Sequence, residues 1–201
     1  RSRGAYQGIY DMDRVEVIKG PQATLFGTAS TIGAISLISA RPKPGFSGEL
    51  TGGYGNYDSK LLSGYLNGGN DKIAARVAFE WKKRDGYVDN LSDRQDDLYA
   101  QNQLGVRGSI RFTPTDDLTI DLIGTYDRQR NSGTPFISSI YPTANGPANA
   151  FGDANLSGAP AGISKSVLGS DKLGLTRDVY DANVTMSWDF ADGWNFTTVN
   201  G

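Results

Sequence analysis

The sequence predicts an all-β protein that forms an antiparallel transmembrane wall. Three observations predict it: long stretches of alternating apolar and polar residues, short polar turns between longer connections, and 26 Gly with 10 Tyr, 8 Phe and 3 Trp among 201 residues. Alternation with a period of two places the two kinds of side chain on opposite faces of a strand. A sheet with one apolar and one polar face suits a boundary between lipid and a wet interior.

The alternation is clearest in residues 72–82. The apolar positions there are Ile73, Ala75, Val77, Phe79 and Trp81. Residues 103–112, 118–127 and 179–190 repeat the pattern, with Ile123 as an exception. Six charged side chains are expected on the polar face: Arg76, Glu80, Arg107, Arg111, Asp121 and Asp127.

These patterns predict about seven wall strands. The strands are expected at residues 48–55, 60–67, 72–84, 100–113, 117–130 and 179–190, with one more from Trp194. Strands of soluble proteins are typically about 5–6 residues long, and several of these are roughly twice that length. Aromatic residues also stand near strand ends, as they do at membrane interfaces. The short connections at 67–71, 113–117 and 191–193 fall on one end of the wall. The long ones, 84–100 and 130–177, fall on the other end, together with a short first outer loop at 56–59.

The N-terminal part has a different pattern. Residues 14–18 alternate and are β-branched, which predicts a strand. Gly20 and Pro21 break it, and residues 22–26 suit a short helical turn. Residues 33–38 predict a second apolar strand, and the two prolines within 41–45 end regular structure.

The composition argues against catalysis and metal binding. The chain has no Cys and no His, and its net charge is -2. It therefore lacks thiolate and imidazole ligands, the usual general base, and the charge that would favour nucleic acid. Asp93, Asp96 and Asp97 lack the glycine and terminal Glu of a calcium loop. No enzyme, cofactor, metal site or nucleic-acid partner is predicted, and no apolar run has the length of a membrane helix, about 20 residues.

Residues 13–42 resemble the closing stretch of the plug domain of TonB-dependent outer-membrane receptors. The resemblance rests on DRVEVIKGPQ at 13–22, LFG at 25–27, GAI at 33–35 and Arg41-Pro42. TASTI at 28–32 and Ser36-Leu37 depart from the usual residues of that family. The resemblance implies that residues 1–45 are the end of a small α/β plug domain and that 46–201 begin a transmembrane β-barrel.

The resemblance also implies a barrel of about 22 antiparallel strands filled by the plug, of which this chain is a fragment. The protein would be an active transporter in the bacterial outer membrane, in contact with its lipid, for a scarce nutrient such as a ferric siderophore. It would depend on the TonB complex of the inner membrane. The segment that contacts TonB and the rest of the plug are expected upstream, and the remaining strands downstream.

Site residues follow from the same resemblance. The loop before Arg14 corresponds to a plug apex, and it and the outer loops carry aromatic and guanidinium groups suited to siderophores. The candidate ligand contacts are Arg3, Tyr6, Gln7, Tyr10, Tyr87, Arg94, Phe136 and Tyr141. Arg14 and Arg41 are expected to pair with carboxylates on the inner wall, since an enclosed charge needs a partner.

Two other functional classes share part of the pattern. A passive porin-type channel would have similar strands but no plug. A soluble β-rich binding protein or adhesin would also alternate, but with shorter strands.

Overall fold

The computed structural model describes residues 9–21, 32–88, 97–133 and 174–201. These residues form two antiparallel sheets. The N-terminal sheet consists of β1 (Met12–Lys19) and β2 (Gly33–Ser39). The second sheet, called the wall below, consists of β3 (Ser47–Gly55), β4 (Ser59–Gly69), β5 (Ile73–Arg84), β6 (Gln101–Thr115), β7 (Leu118–Ser132), β8 (Gly174–Ala191) and β9 (Trp194–Asn200).

The wall is a meander in which each strand pairs with the next one along the chain. Its longest ladder joins β7 and β8 from Leu118↔Trp188 to Ser132↔Gly174. β6 and β7 have 15 residues each and β8 has 18. Such lengths exceed those of most soluble strands and suit a tilted crossing of a bilayer.

The register aligns the alternating residues of neighbouring strands on common faces. Leu62, Trp81 and Leu104 are successive partners across β4, β5 and β6. Together with Leu66, Val77, Leu122 and Tyr180 they belong to the apolar face, most of whose large side chains are exposed in the chain. On the opposite, polar face Glu80, Gly105 and Asp127 are successive partners across β5, β6 and β7. The division of the wall into an apolar and a polar face is therefore confirmed.

The predicted strands are present, with different ends at the long connection. β7 continues to Ser132 and β8 begins at Gly174, whereas strands at 117–130 and 179–190 were predicted. The added ends are largely polar on both faces, so they carry no alternation that sequence could reveal. The helical turn predicted at 22–26 lies outside the described residues. Within the described part of the chain, no helix combines the length and the apolar character needed to cross a membrane.

Candidate functional site

The N-terminal sheet contacts the polar face of the wall through Tyr10 and Asp11. The carboxylate of Asp11 accepts hydrogen bonds from Arg76 on β5, with Nε at 2.9 Å from Oδ2 and Nη2 bound to Oδ1. Both side chains are enclosed, with exposures of 6% for Asp11 and 10% for Arg76. The Arg76 guanidinium also lies 3.6 Å from the centre of the Tyr65 ring on β4. A bidentate ion pair that also stacks on an aromatic ring fixes both position and orientation.

Arg107 on β6 binds the same corner through the backbone. Its Nη1 donates to the carbonyl oxygens of Tyr10 at 3.2 Å and Asp11 at 3.4 Å. Its guanidinium lies 4.8 Å from the centre of the Tyr10 ring. These contacts satisfy carbonyls where the chain enters β1, so the wall helps to set the path of the backbone.

Tyr10 is itself buried, with 6% of its surface exposed. Its hydroxyl is enclosed and has no hydrogen-bond partner in the described part of the chain. Burial raises the pKa of this phenol to about 12, with Asp127, Glu80 and Asp11 adding to the rise and Arg107 opposing it. The ring therefore stays neutral and packs against the wall.

The wall has a recess where this ring packs. A Cβ on Gly105 would lie 2.5 Å from Cε1 of Tyr10 and 3.0 Å from Oδ1 of Asp127. Real Cβ atoms do not approach other atoms that closely. Glycine at this position therefore permits the aromatic ring to reach the backbone of β6.

The connection from β2 to β3 is tied to the wall by Asn67. Its Oδ1 accepts from the backbone N of Lys43 at 3.0 Å, and its Nδ2 donates to the carbonyls of Lys43 at 2.9 Å and Gly45 at 3.2 Å. Asn67 is 2% exposed. Its amide replaces a strand partner for the passing backbone and fixes the point where the chain joins the wall.

Of the two arginines predicted to pair with wall carboxylates, Arg41 lies near one and Arg14 pairs with its own neighbours in sequence. Nη1 of Arg41 lies 3.5 Å from Oδ2 of Asp121 on β7, a carboxylate that also receives two hydrogen bonds from Arg111. Arg14 instead pairs with its sequence neighbours Asp13 and Glu16, and 56% of its side chain is exposed. A wall partner for Arg14 stays a prediction.

A polar cavity of ≈ 420 Å³ borders the Asp11–Arg76 pair on the side of β3 and β4. Its lining includes Tyr10, Glu49, Ser63, Tyr65 and Glu80. Within the described part of the chain, the space between Asp11 and strands β3 and β4 is therefore only partly filled.

Tyrosines cluster at the end of the wall where its longer connections lie. The rings of Tyr87 and Tyr99 stack with centres 5.1 Å apart, and that of Tyr57 lies 5.6 Å from Tyr87. The Arg84 guanidinium is 5.1 Å from the Tyr87 ring and donates to the carbonyl of Tyr99 at 3.1 Å. Tyr57 and Tyr99 have φ of 59° and 64°, conformations that non-glycine residues seldom adopt.

The candidate ligand contacts therefore separate into three groups. Tyr87 lies in the tyrosine cluster and is 45% exposed. Tyr10 packs against the wall and is 6% exposed, and its role as a ligand contact stays a prediction. The other six lie outside the described residues: Arg3, Tyr6, Gln7, Arg94, Phe136 and Tyr141. Sequence reasoning did not single out Tyr57 and Tyr99, which stand at strand ends without a recognisable motif.

The described residues contain no group of three or more Asp or Glu arranged to hold a metal ion. Several of their carboxylates serve in ion pairs with arginine or lysine, as Asp11 and Asp121 illustrate.

No family model matches the chain. Curated relatives do match. The chain is 25% identical over 159 residues to the ferric aerobactin receptor of Klebsiella pneumoniae. The matched region covers 65% of this chain and 22% of that receptor. It is 26% identical over 116 residues to the vitamin B12 transporter BtuB of Vibrio vulnificus, covering 57% of this chain and 19% of the transporter. The chain thus spans about a fifth of the length of these relatives.

Solved structures match over nearly the whole chain. The ferric yersiniabactin uptake receptor FyuA from Yersinia pestis superposes with a TM-score of 0.73 at 20% identity, covering 94% of this chain and 28% of that one. The ferripyoverdine receptor of the outer membrane of Pseudomonas aeruginosa gives a TM-score of 0.67 at 18% identity, covering 95% and 23%. The resemblance to TonB-dependent outer-membrane receptors is confirmed.

The match to TonB-dependent receptors also tests the predicted fold class and the predicted cellular location. It confirms the all-β fold class and the assignment to the bacterial outer membrane. The matched proteins are receptors and a transporter rather than enzymes. The roles of individual residues stay predictions.

Proposed function

We propose that this chain is part of a TonB-dependent outer-membrane receptor that imports a scarce nutrient, with a ferric siderophore as the ligand class. One observation carries the proposal: a separate two-stranded sheet is fixed to the polar face of a long antiparallel wall by the enclosed Asp11–Arg76 pair. A passive channel has no need of a sheet across its polar face. A gate that must close the lumen between transport events does.

The domain division follows from the same arrangement. We assign residues 1–45 to the end of the plug and 46–201 to the first strands of the barrel. In support, Asn67 anchors the backbone at Lys43 and Gly45, immediately before β3 begins at Ser47. The change from one sheet to the other occurs over this anchored segment.

The ligand class rests on the relatives, whose names include ferric aerobactin and ferrioxamine B receptors as well as a vitamin B12 transporter. The exposed Tyr87, stacked on Tyr99 beside Arg84, offers aromatic and cationic surface suited to such ligands. Dependence on the TonB complex belongs to the same proposal.

Uptake of radioactive iron tests the function. A strain that lacks the complete gene should lose uptake of one ferric siderophore from a panel, and the plasmid-borne gene should restore it. Restoration should fail in a strain without TonB. A passive channel would restore uptake with or without TonB, and a vitamin B12 transporter would restore uptake of cobalamin alone.

A further inference from the structure

The corner formed by Tyr10 and Asp11, immediately before β1, packs closely against the wall. Its contacts come from three adjacent strands: Arg76 on β5, Gly105 and Arg107 on β6, and Asp127 on β7. Residues about a hundred positions apart in sequence are thereby brought into one enclosed cluster.

We propose that Tyr10 and Asp11 form a two-part latch that seats the N-terminal sheet on the wall. The ring of Tyr10 fills the recess at Gly105, and the carboxylate of Asp11 closes on Arg76. Shape complementarity and charge thus act at adjacent residues.

The recess is specific to the ring. Gly105 stands between Glu80 and Asp127 in the register, so its missing side chain leaves a gap between two acidic neighbours on the polar face. Any Cβ at position 105 would overlap the ring, at 2.5 Å from Cε1. The Tyr10 hydroxyl contributes no hydrogen bond within the described residues. The wall therefore binds the ring by packing, and the hydroxyl adds no hydrogen bond to it within the described residues.

The charged part of the latch constrains the backbone. Asp11 has φ of 52°, a left-handed conformation that few residues other than glycine, asparagine and aspartate adopt. Its carbonyl also accepts from the N of Ala40 at 2.9 Å, which joins the end of β2 to the same corner. Because Asp11 is enclosed, loss of either member of its ion pair leaves a buried charge without its partner.

The open side of the latch is the polar cavity beneath β3 and β4, which Tyr10 and Asp11 both line. Among the described residues, the ring therefore has β6 on one side and borders the cavity on another. Displacement toward the cavity is the direction in which the latch can open.

The latch makes predictions about pairs of variants in the complete, detergent-purified protein. Hydrogen–deuterium exchange of peptides covering β1 and β2 measures how firmly the sheet is seated. Gly105→Ala, Tyr10→Ala and Asp11→Asn should each speed this exchange by about tenfold or more. Asn tolerates the left-handed conformation, so Asp11→Asn removes the charge while keeping the backbone preference.

Two controls should leave the exchange unchanged. Tyr10→Phe keeps the ring and removes only the hydroxyl, which forms no hydrogen bond within the described ranges. Gly108→Ala lies on the same strand as Gly105, but its new Cβ meets no atom within 4 Å.

A double substitution separates the latch from general damage to β6. In a Tyr10→Ala background, Gly105→Ala should cause little further increase, because the recess is already empty. Full additivity of the two effects, or exchange unaltered by all three latch variants, would overturn the proposal. The outcome does not depend on which nutrient is carried, so it is separable from the uptake experiment.

Discussion

The burial of Tyr10 at the interface with the wall changes what its side chain can do. Tyr10 carries an aromatic ring and a hydroxyl, both of which suit ligand binding, and its sequence position gave no reason to expect burial. The structure encloses it beneath Arg107, against a glycine 95 residues further along the chain. Such a contact depends on the register of β5, β6 and β7, which no local pattern encodes.

Tyr10 also provides a test at alkaline pH. Its pKa is raised from 10.0 to about 12, chiefly by burial. A raised pKa in the folded state means that its contribution to stability is complete below the unfolded pKa and is lost as the pH rises through the folded one. Titration of phenolate absorbance in the complete protein should include a step near the higher value, and Tyr10→Phe should remove that step. If the absorbance step that Tyr10→Phe removes instead lies near pH 10, the Tyr10 phenol is solvated and its pKa is not raised.

At the scale of the element, alternation located the strands because each face has its own chemistry. The last residues of β7, Asn131 and Ser132, and the first residues of β8, from Gly174 to Asp178, escaped prediction, because they are mostly small or polar and continue no apolar alternation. Arg130 and Asp178 bridge the two strands at 2.5 Å. Polar ladders of this kind extend a sheet through cross-strand pairs, without leaving a periodic apolar signal.

Strand spacing makes a prediction for β3 and β4. A Cβ on Gly64 would lie 2.4 Å from the carbonyl oxygen of Glu49 on the paired strand. Gly64→Ala should therefore force the two strands apart and cost about 1–3 kcal/mol. Gly108→Ala, which adds the same methyl group to open space, should cost little. The measurement is the temperature at which each complete protein loses its folded band in SDS gel electrophoresis; equal temperatures for both variants would contradict this packing.

At the scale of the whole molecule, the fold class was predictable and the arrangement of the two sheets was not. Alternating strands and the motif at residues 13–42 suffice to indicate a barrel wall and a plug. The seating of one sheet on the other depends on Asp11, Arg76 and Asn67, which are ordinary polar residues in sequence. Their partners are 65 residues apart for the ion pair and 24 for the Lys43–Asn67 hydrogen bond.

The central claim is that the apolar face of the wall meets lipid while the polar face carries the N-terminal sheet. Nitroxide scanning of β5 in the complete protein, reconstituted in lipid bilayers, tests it most directly. Collision with oxygen, which concentrates in lipid, should be highest at Ile73, Ala75, Val77, Phe79 and Trp81. The alternate positions, Ala74, Arg76, Ala78 and Glu80, should be protected from it. Equal access of a water-soluble relaxation agent to both sets of positions would contradict the claim.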